Sequence, residues 1–471
     1  MQFPPEKNAF TGRVALEKIG ISLAAVAFLL ACCPSQVTAR QQPSSSTRAA
    51  ARQIASPQNP APQASPAPNA DQPPITSYAL PPELYKKAHG LGRIEFWSQL
   101  IAFPYGLILF WLVLGVKLAA KYRDVAERIS SRRFLQAAVF SPLLILTVAA
   151  LSSPMDIFGH ALARSYGLSV QGWGSWAWDW TKGQCMNVIV GTIMIWLLYV
   201  VVRRSPRRWW LYFWALSLPV GLFLFFLQPI VVDPLFHKFE PLERRDPALV
   251  ASLQEMSRRA GENIPPAQMF WMGAGEKTTE LNAYVTGIGA SKRIVVWDTT
   301  IAKMSTPQIV FVAGHEMGHY VLQHIPKQLA FEALNLFLLL YFGYRFVGWA
   351  LARWGQRWRI RGVDDWASLP VLILPLFILS FVANPTVSAV SRHYEHQADQ
   401  FGLEVTHGLT PDSSQQAARA FQIIGEVDLA DPDPSPVDVF LFYSHPPIAD
   451  RVRFALDYDP WSRGSAGEFV P

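Results

Sequence analysis

Residues 312–320 read VAGHEMGHY. His315 and His319 are four apart, a spacing that a helix turns onto one face, so both imidazoles can point at a single ion. Glu316, one step round the helix, lies beside such an ion and not on it. Hydrolysis by zinc needs this set: neutral imidazoles as ligands, and a carboxylate to take the proton of the activated water. Two histidines leave the set one ligand short. SRHYEHQAD, residues 391–399, offers the completion. Glu395 and Asp399 again stand four apart on one helical face, so one carboxylate can reach the metal while the other accepts the free N–H of a ligating histidine. Spacing alone does not say which does which.

These groups must be positioned by elements on either side of them. Pro307 suits the first turn of a helix that carries Val310, Phe311 and Val312 into the motif. Gly314 and Gly318 weaken that helix but permit a close backbone approach. Upstream, Pro247–Arg259 has helical apolar spacing, and Met269–Met272, Asn282–Thr286 and Arg293–Trp297 are β-rich runs separated by glycine-containing turns.

Around this region the chain is markedly apolar. It is 51% hydrophobic and only 16% charged in 471 residues, with a positive mean hydropathy of +0.16, a balance that soluble domains seldom reach. Phe96–Val116, Phe134–Met155, Met186–Val202, Trp209–Val232 and Leu369–Val390 are free of charge, and each is near the ~20 residues that cross a bilayer. Leu329–Ala352 is apolar except for Glu332 and Arg345, which are costly in lipid and should face protein or an aqueous cavity. The expectation is a polytopic membrane protein, mainly α.

The net charge of +6 does not point to nucleic acid, because the basic residues concentrate in short loops between spans. Lys117, Lys121, Arg123, Arg128, Arg132 and Arg133 form the first such loop, Arg203, Arg204, Arg207 and Arg208 the second, and Arg353, Arg357, Arg359 and Arg361 the third. The positive-inside rule places all three in the cytoplasm and the segment with the HExxH motif on the opposite side. Cys32, Cys33 and Cys185 provide neither a disulfide framework nor a C-x-x-C metal site.

At the amino end Lys7, Arg13 and Lys18 precede the apolar run Ile19–Ala31, which reads as a secretory signal or a retained first span. The expected organisation is a signal or span at 1–34 and a disordered Pro/Ala/Ser-rich tether at 35–82. Four spans follow within 83–232, then a catalytic segment at 233–328 and two further spans at 329–390. The catalytic domain is completed at 391–458, with a tail at 459–471.

HEMGH and SRHYEHQAD together resemble the integral-membrane zinc metalloproteases of the CAAX prenyl protease type. YGLSVQGWGSWAWDWTKG at 166–183, VVDPLFHKFEPL at 231–242, LNAYVTG at 281–287, KRIVVWDT at 292–299 and YSHPPIADRV at 443–452 match that family in order. The likeness runs from about Pro82 to Tyr458, and the Pro-rich tether departs from it. It implies a bundle of about six to seven transmembrane helices enclosing a cavity, with a zincin-like α+β catalytic domain. It further implies one zinc per chain held by His315, His319 and Glu395, with Glu316 as general base and Asp399 supporting a ligand histidine. His445 and Arg451 would face the scissile carbonyl and its oxyanion. Asn282, Ala283 and Tyr284 would form an edge strand that pairs with an extended polypeptide substrate.

The remaining histidines read as supporting or structural: His324 as packing or support, His393 and His396 as structural, and His160 and His237 without a visible partner. The tryptophans of Trp173–Trp180 read as an interfacial belt. The expected activity is endopeptidase processing or quality control of membrane-associated or exported polypeptides, by a monomer in a bacterial inner membrane with its site on the non-cytoplasmic face. The eukaryotic members of the family face the cytosol, so charge and resemblance differ on this point. An intramembrane site-two-type protease would bury its HExxH inside a span, whereas here Gln323, His324 and Lys327 follow the motif. A catalytically silent scaffold or chaperone would be expected to lose Glu316 or a ligand, and this chain has kept all of them.

Overall fold

The computed structural model describes residues 73–287 and 292–470. The apolar run Ile19–Ala31 and most of the expected tether lie outside the described residues. Among the described residues, five helices are long and apolar enough to cross a membrane: α1 (Pro82–Gly115), α3 (Arg133–Ser165), α4 (Trp173–Arg204), α10 (His324–Trp354) and the stretch Trp366–Thr406. The last of these contains α11 (Leu369–Thr406). A sixth, α5 (Trp209–Leu227), is shorter and also apolar. The amphipathic α2 (Leu118–Ile129) joins α1 to α3. The bundle is mainly helical, with Phe140, Leu144, Ile195, Tyr199, Leu340 and Trp366 among its buried core.

The three basic loops meet at one end of the bundle. Arg123 donates to Asp365 at 2.6 Å and to the Arg359 carbonyl at 2.9 Å, Arg361 pairs with Glu127, and Arg203 donates to the Asp364 carbonyl at 3.1 Å. Glu332 is buried in α10, where Gln328 donates to it at 2.9 Å.

After α5 the chain makes a π-helical turn, Gln228–Val232, and a short helix α6 (Asp233–Phe236) before leaving the bundle. A four-stranded sheet follows, in the order β1-β2-β4-β3. It comprises β1 (Lys238–Pro241), β2 (Met269–Gly273), β3 (Ala283–Thr286) and β4 (Arg293–Trp297). Only the β2–β4 pair is parallel. β1 went unseen in the sequence because its four residues include a lysine, a glutamate and a proline, poor company for a strand. Between β1 and β2 lies α7 (Pro247–Arg259), whose N-cap Asp246 accepts the Leu249 N–H.

Beyond β4 come α8 (Asp298–Lys303) and α9 (Thr306–Val321), the helix of the HExxH motif. Gln308 accepts the Ser305 N–H at 2.8 Å and caps its start. One face of the sheet packs with α7 and α9 into a second core that includes Leu253, Ile294, Phe311 and Phe401. Helices α12 (Ser413–Val427) and α14 (Ile448–Asp457) complete that core, while α13 (Pro436–Phe442) packs on α11, whose Asn384 and Arg392 donate to its Leu441 and Val439 carbonyls.

Two features differ from the expected organisation. Helix α11 runs unbroken through Val390, so the last membrane span and the third-ligand segment are one rod of 38 residues, about 57 Å long. The end of the expected tether is also held in place. Gln415 and Gln422 each pair with both the N–H and the carbonyl of one residue, Ile75 and Ala79, so the chain from Pro73 to Leu80 lies along α12. Composition shows that this stretch cannot build a core of its own, and says nothing of a helix elsewhere that grips its backbone.

Candidate active site and metal centre

Helices α9 and α11 bring the candidate ligands together, and glycine lets them come close enough. A Cβ at Gly318 would stand 2.9 Å from Phe401 Cβ and 3.2 Å from the Ala398 backbone, and one at Gly402 would stand 3.1 Å from the His315 nitrogen. Every one of these side chains is buried: His315 is 6% exposed, His319 4%, and Glu395 and Asp399 1% each.

Within this contact His315 Nε2 and His319 Nε2 are 3.2 Å apart. Glu395 Oε2 is 3.4 Å from the first and Oε1 3.5 Å from the second. Ligand atoms on a tetrahedral ion with bonds of 2.0–2.1 Å stand about 3.3–3.4 Å apart. The three residues are therefore spaced as the corners around one cation, and they form a cluster able to hold a metal. Glu395 Oε2 is buried with no hydrogen-bond partner among the described residues, a cost that a cation removes.

Hydrogen bonds behind the histidines set their tautomers. Asp399 Oδ1 lies 2.8 Å from His315 Nδ1, so the ring donates there and keeps the Nε2 lone pair for the cluster. His319 is fixed by a longer relay. Gln397 Oε1 accepts from His324 Nε2 at 3.1 Å, His324 Nδ1 accepts from His319 Nδ1 at 3.1 Å, and His319 Nε2 is left as a donor of its lone pair. The relay begins with an abrupt turn: Gln323 takes a left-handed φ of 58° between α9 and α10 and sets His324 beneath His319, a conformation that costs a non-glycine residue about 1–2 kcal/mol. Tyr394 stacks on the His324 ring at 4.6 Å. Sequence reasoning gave His324 a supporting part but missed Gln397, for which spacing carried no signal.

The electrostatics agree with a cation. Burial alone would lower the His315 pKa, yet the Asp399 and Glu395 carboxylates hold it up at about 10, so this point in the protein favours positive charge. Burial takes His319 the other way, well below the usual imidazole range, into the neutral form that a ligand needs. Burial also raises the Glu316 carboxyl to about 7, with His315 and Arg451 opposing the rise.

Glu316, His315, His445 and Arg451 line one cavity of about 150 Å³, together with Leu281, Asn282 and Phe421. His445 Nε2 is 3.3 Å from Glu395 Oε1, and Ser444 Oγ is 2.9 Å from His445 Nδ1. Arg451 lies 4.4 Å over the Phe421 ring and spends Nε and Nη2 on Asp399, which leaves Nη1 outside that pairing.

β3 stands at the edge of the described sheet, beside α9. The ladder corrects which residues offer that edge. Trp297 N–H donates to the Asn282 carbonyl, while the Asn282 N–H donates to Thr300 Oγ1. Pairs that exchange hydrogen bonds alternate along an antiparallel ladder, so Asn282 and Tyr284 turn their backbone groups inward. Ala283 and Val285 turn theirs out. Of the predicted trio only Ala283 offers its backbone, and Asn282 contributes its place on the cavity wall.

Comparison with known proteins finds metalloprotease relatives. Residues 243–459 match the model of peptidase family M48, and residues 67–238 match that of the CAAX prenyl protease N-terminal region, with five membrane helices. An uncharacterized metalloprotease of Bacillus subtilis, YhfN, is 35% identical over 80% of this chain and 87% of its own. CAAX prenyl protease 1 of Saccharomyces cerevisiae is 25% identical over 69% of this chain and 72% of its own. The crystal structure of S. mikatae Ste24p shares the fold, with a TM-score of 0.67 at 22% identity over 83% of this chain and 92% of that one.

Proposed function

The chain belongs to peptidase family M48 as a membrane-embedded metalloprotease of the CAAX prenyl protease type, and from that premise we propose the metal, the residue roles, the substrate and the sidedness. The metal is zinc, one per chain, held by His315, His319 and Glu395. Their mutual spacing of 3.2–3.5 Å, beside a cavity that His315 and Glu316 line, is the observation that carries the reading. When bound there, zinc supplies Lewis acidity and an activated water.

The protein's own residues do the rest. Glu316 accepts the proton of the attacking water and returns it to the departing amine. Asp399 and the His324–Gln397 relay hold the two imidazoles in the ligating tautomer. His445 and the Nη1 of Arg451 donate to the oxyanion that develops on the carbonyl. Ala283 and Val285 pair with a substrate in extended form, and Asn282 flanks it.

The substrates proposed are membrane-associated or exported polypeptides, cut by a monomer in a bacterial inner membrane. The extended edge beside the motif supports a peptide backbone as the recognised element, and the Saccharomyces relative is named for prenylated substrates. A peptide-release assay on the purified protein, comparing prenylated, plain and unfolded polypeptides, tests this. Release of plain or unfolded chains at least as fast as of prenylated ones is expected. Hydrolysis confined to prenylated peptides overturns the proposed substrate class, and no hydrolysis of any of them overturns the peptidase roles.

For the site we propose the non-cytoplasmic face, on the positive-inside rule. The three basic loops share one end of the bundle, and α10 runs from His324 at the metal centre to Trp354 beside the third of them, about 46 Å for its 31 residues.

A further inference from the structure

Two stretches that the active site leaves unused meet in one place. Asp179, in the WAWDW run of α4, accepts from Lys182 Nζ at 2.6 Å, from Lys277 Nζ at 2.6 Å and from Gln171 Nε2 at 2.6 Å. The same two lysines converge on the end of α6. Lys182 donates to the Leu235 carbonyl at 2.9 Å and Lys277 to the Phe236 carbonyl at 2.7 Å. Their ammonium groups lie 4.6 and 5.7 Å from the Phe236 ring. One carboxylate and one aromatic face thus hold two cations, all three charged side chains being at most 24% exposed.

The partners come from three parts of the molecule. Asp179 and Lys182 ride on a membrane helix, Phe236 ends the segment by which the chain leaves the membrane, and Lys277 sits in the turn that leads into β3. From Lys277 the path to the substrate edge is short and bonded. Thr278 makes an isolated antiparallel bridge to Ser169, the Glu280 N–H donates to Thr278 Oγ1 at 2.9 Å, and Thr299 Oγ1 donates to the Glu280 carbonyl. Leu281 and Asn282, on the cavity wall, come next, and then Ala283.

We infer that Asp179 is a positioning residue for substrate: through Lys277 it fixes the edge strand β3 against the membrane bundle, so that an extended polypeptide meets a pre-set edge at a set distance from the metal centre. It touches neither substrate nor metal. Its effect is on binding, because a strand edge held in place costs a pairing peptide less ordering than a loose one. The inference rests on the peptidase reading above, since it gives β3 its meaning.

The test uses the full chain in liposomes, loaded with zinc and checked for metal content, as wild type, Asp179→Asn, Lys277→Met and the double variant. Expected for each single variant is a five- to tenfold rise in KM for an extended peptide, with kcat within twofold and zinc unchanged. The double variant should be no worse than either single one, since both act through one contact. A merely structural part would lower kcat, zinc content and thermal stability together. Hydrogen exchange supplies a readout independent of turnover: the amides of Leu281–Val285 should exchange faster in Asp179→Asn, with those of α9 unchanged. An unchanged KM in an active variant, or equal exchange at Leu281–Val285, overturns the inference. If no peptide is cut even by the wild type, the peptidase roles fall, and the exchange measurement alone decides whether Asp179 holds the strand.

Discussion

Arg451 grips Asp399 at two points, Nε to Oδ2 at 2.9 Å and Nη2 to Oδ1 at 2.6 Å, and that same Oδ1 lies 2.8 Å from His315 Nδ1. The guanidinium therefore stands two bonds behind the metal centre as well as on its cavity. Asp399→Asn should weaken zinc binding by about 10- to 100-fold, the usual cost of losing the group behind a ligand histidine. Arg451→Met should be worse for folding, because it leaves a carboxylate buried without its cation, at about 3–5 kcal/mol. Zinc titration and thermal unfolding of the two variants separate these effects. Equal zinc affinity in Asp399→Asn and wild type would sink the ligand-support role.

The ligand and the base should part company under substitution. Glu395→Ala should lose most of its zinc, whereas Glu316→Gln should retain about one zinc per chain and lose roughly 10²- to 10⁴-fold in turnover. Metal analysis beside a peptidase assay reads both. Full zinc retention in Glu395→Ala would remove that residue from the metal.

His445 is predicted to act on the transition state. His445→Ala should lower kcat on the order of a hundredfold, as removal of an oxyanion donor does, with zinc content unchanged. A rise in KM alone would mark ordinary binding. Loss of zinc would instead make His445 a support for Glu395, 3.3 Å away.

The approach of α9 to α11 predicts a defect with no chemistry in it. At Gly318 an added methyl would stand 2.9 Å from Phe401 Cβ, the stiff root of a buried side chain. Gly318→Ala should therefore spread the helices and weaken zinc binding by tenfold or more, despite a gain in helix propensity. Alanine at exposed Gly348, where nothing lies within 4 Å of the added carbon, is the control. Equal zinc affinity in both variants would show that the contact tolerates the methyl.

Sidedness can be read with a membrane-impermeant thiol reagent on spheroplasts carrying the chain without Cys32, Cys33 and Cys185. A cysteine at exposed Ala302, beside the catalytic core, should react without lysis. One at exposed Ser131, in the first basic loop, should not. The opposite pattern would put the site in the cytoplasm.

Much of this protein is legible in its sequence, and the division follows the range of the interactions. His315, Glu316 and His319 need only the period of one helix, and the spans need only length and apolar content. Gly314 and Gly318 announced a close neighbour, though only the fold shows that the neighbour is Phe401 and Gly402. Glu395 and Asp399 shared a face in sequence, but their different parts depend on depth along α11 relative to α9. The tautomer relay through His324 to Gln397, the inward turn of Asn282 and the Asp179 junction are long-range pairings that no local period encodes.

A membrane hairpin, α10 and most of α11, separates His319 from Glu395 in the chain. Biosynthesis therefore reaches Glu395, the proposed third ligand, only after both of these spans have been made. On the proposed ligand set, a chain synthesised only as far as the HExxH helix holds two of the three metal ligands. Assembly of the proposed centre is thus timed by topology: the last rod must bring Glu395 back to α9 before the three ligands stand together.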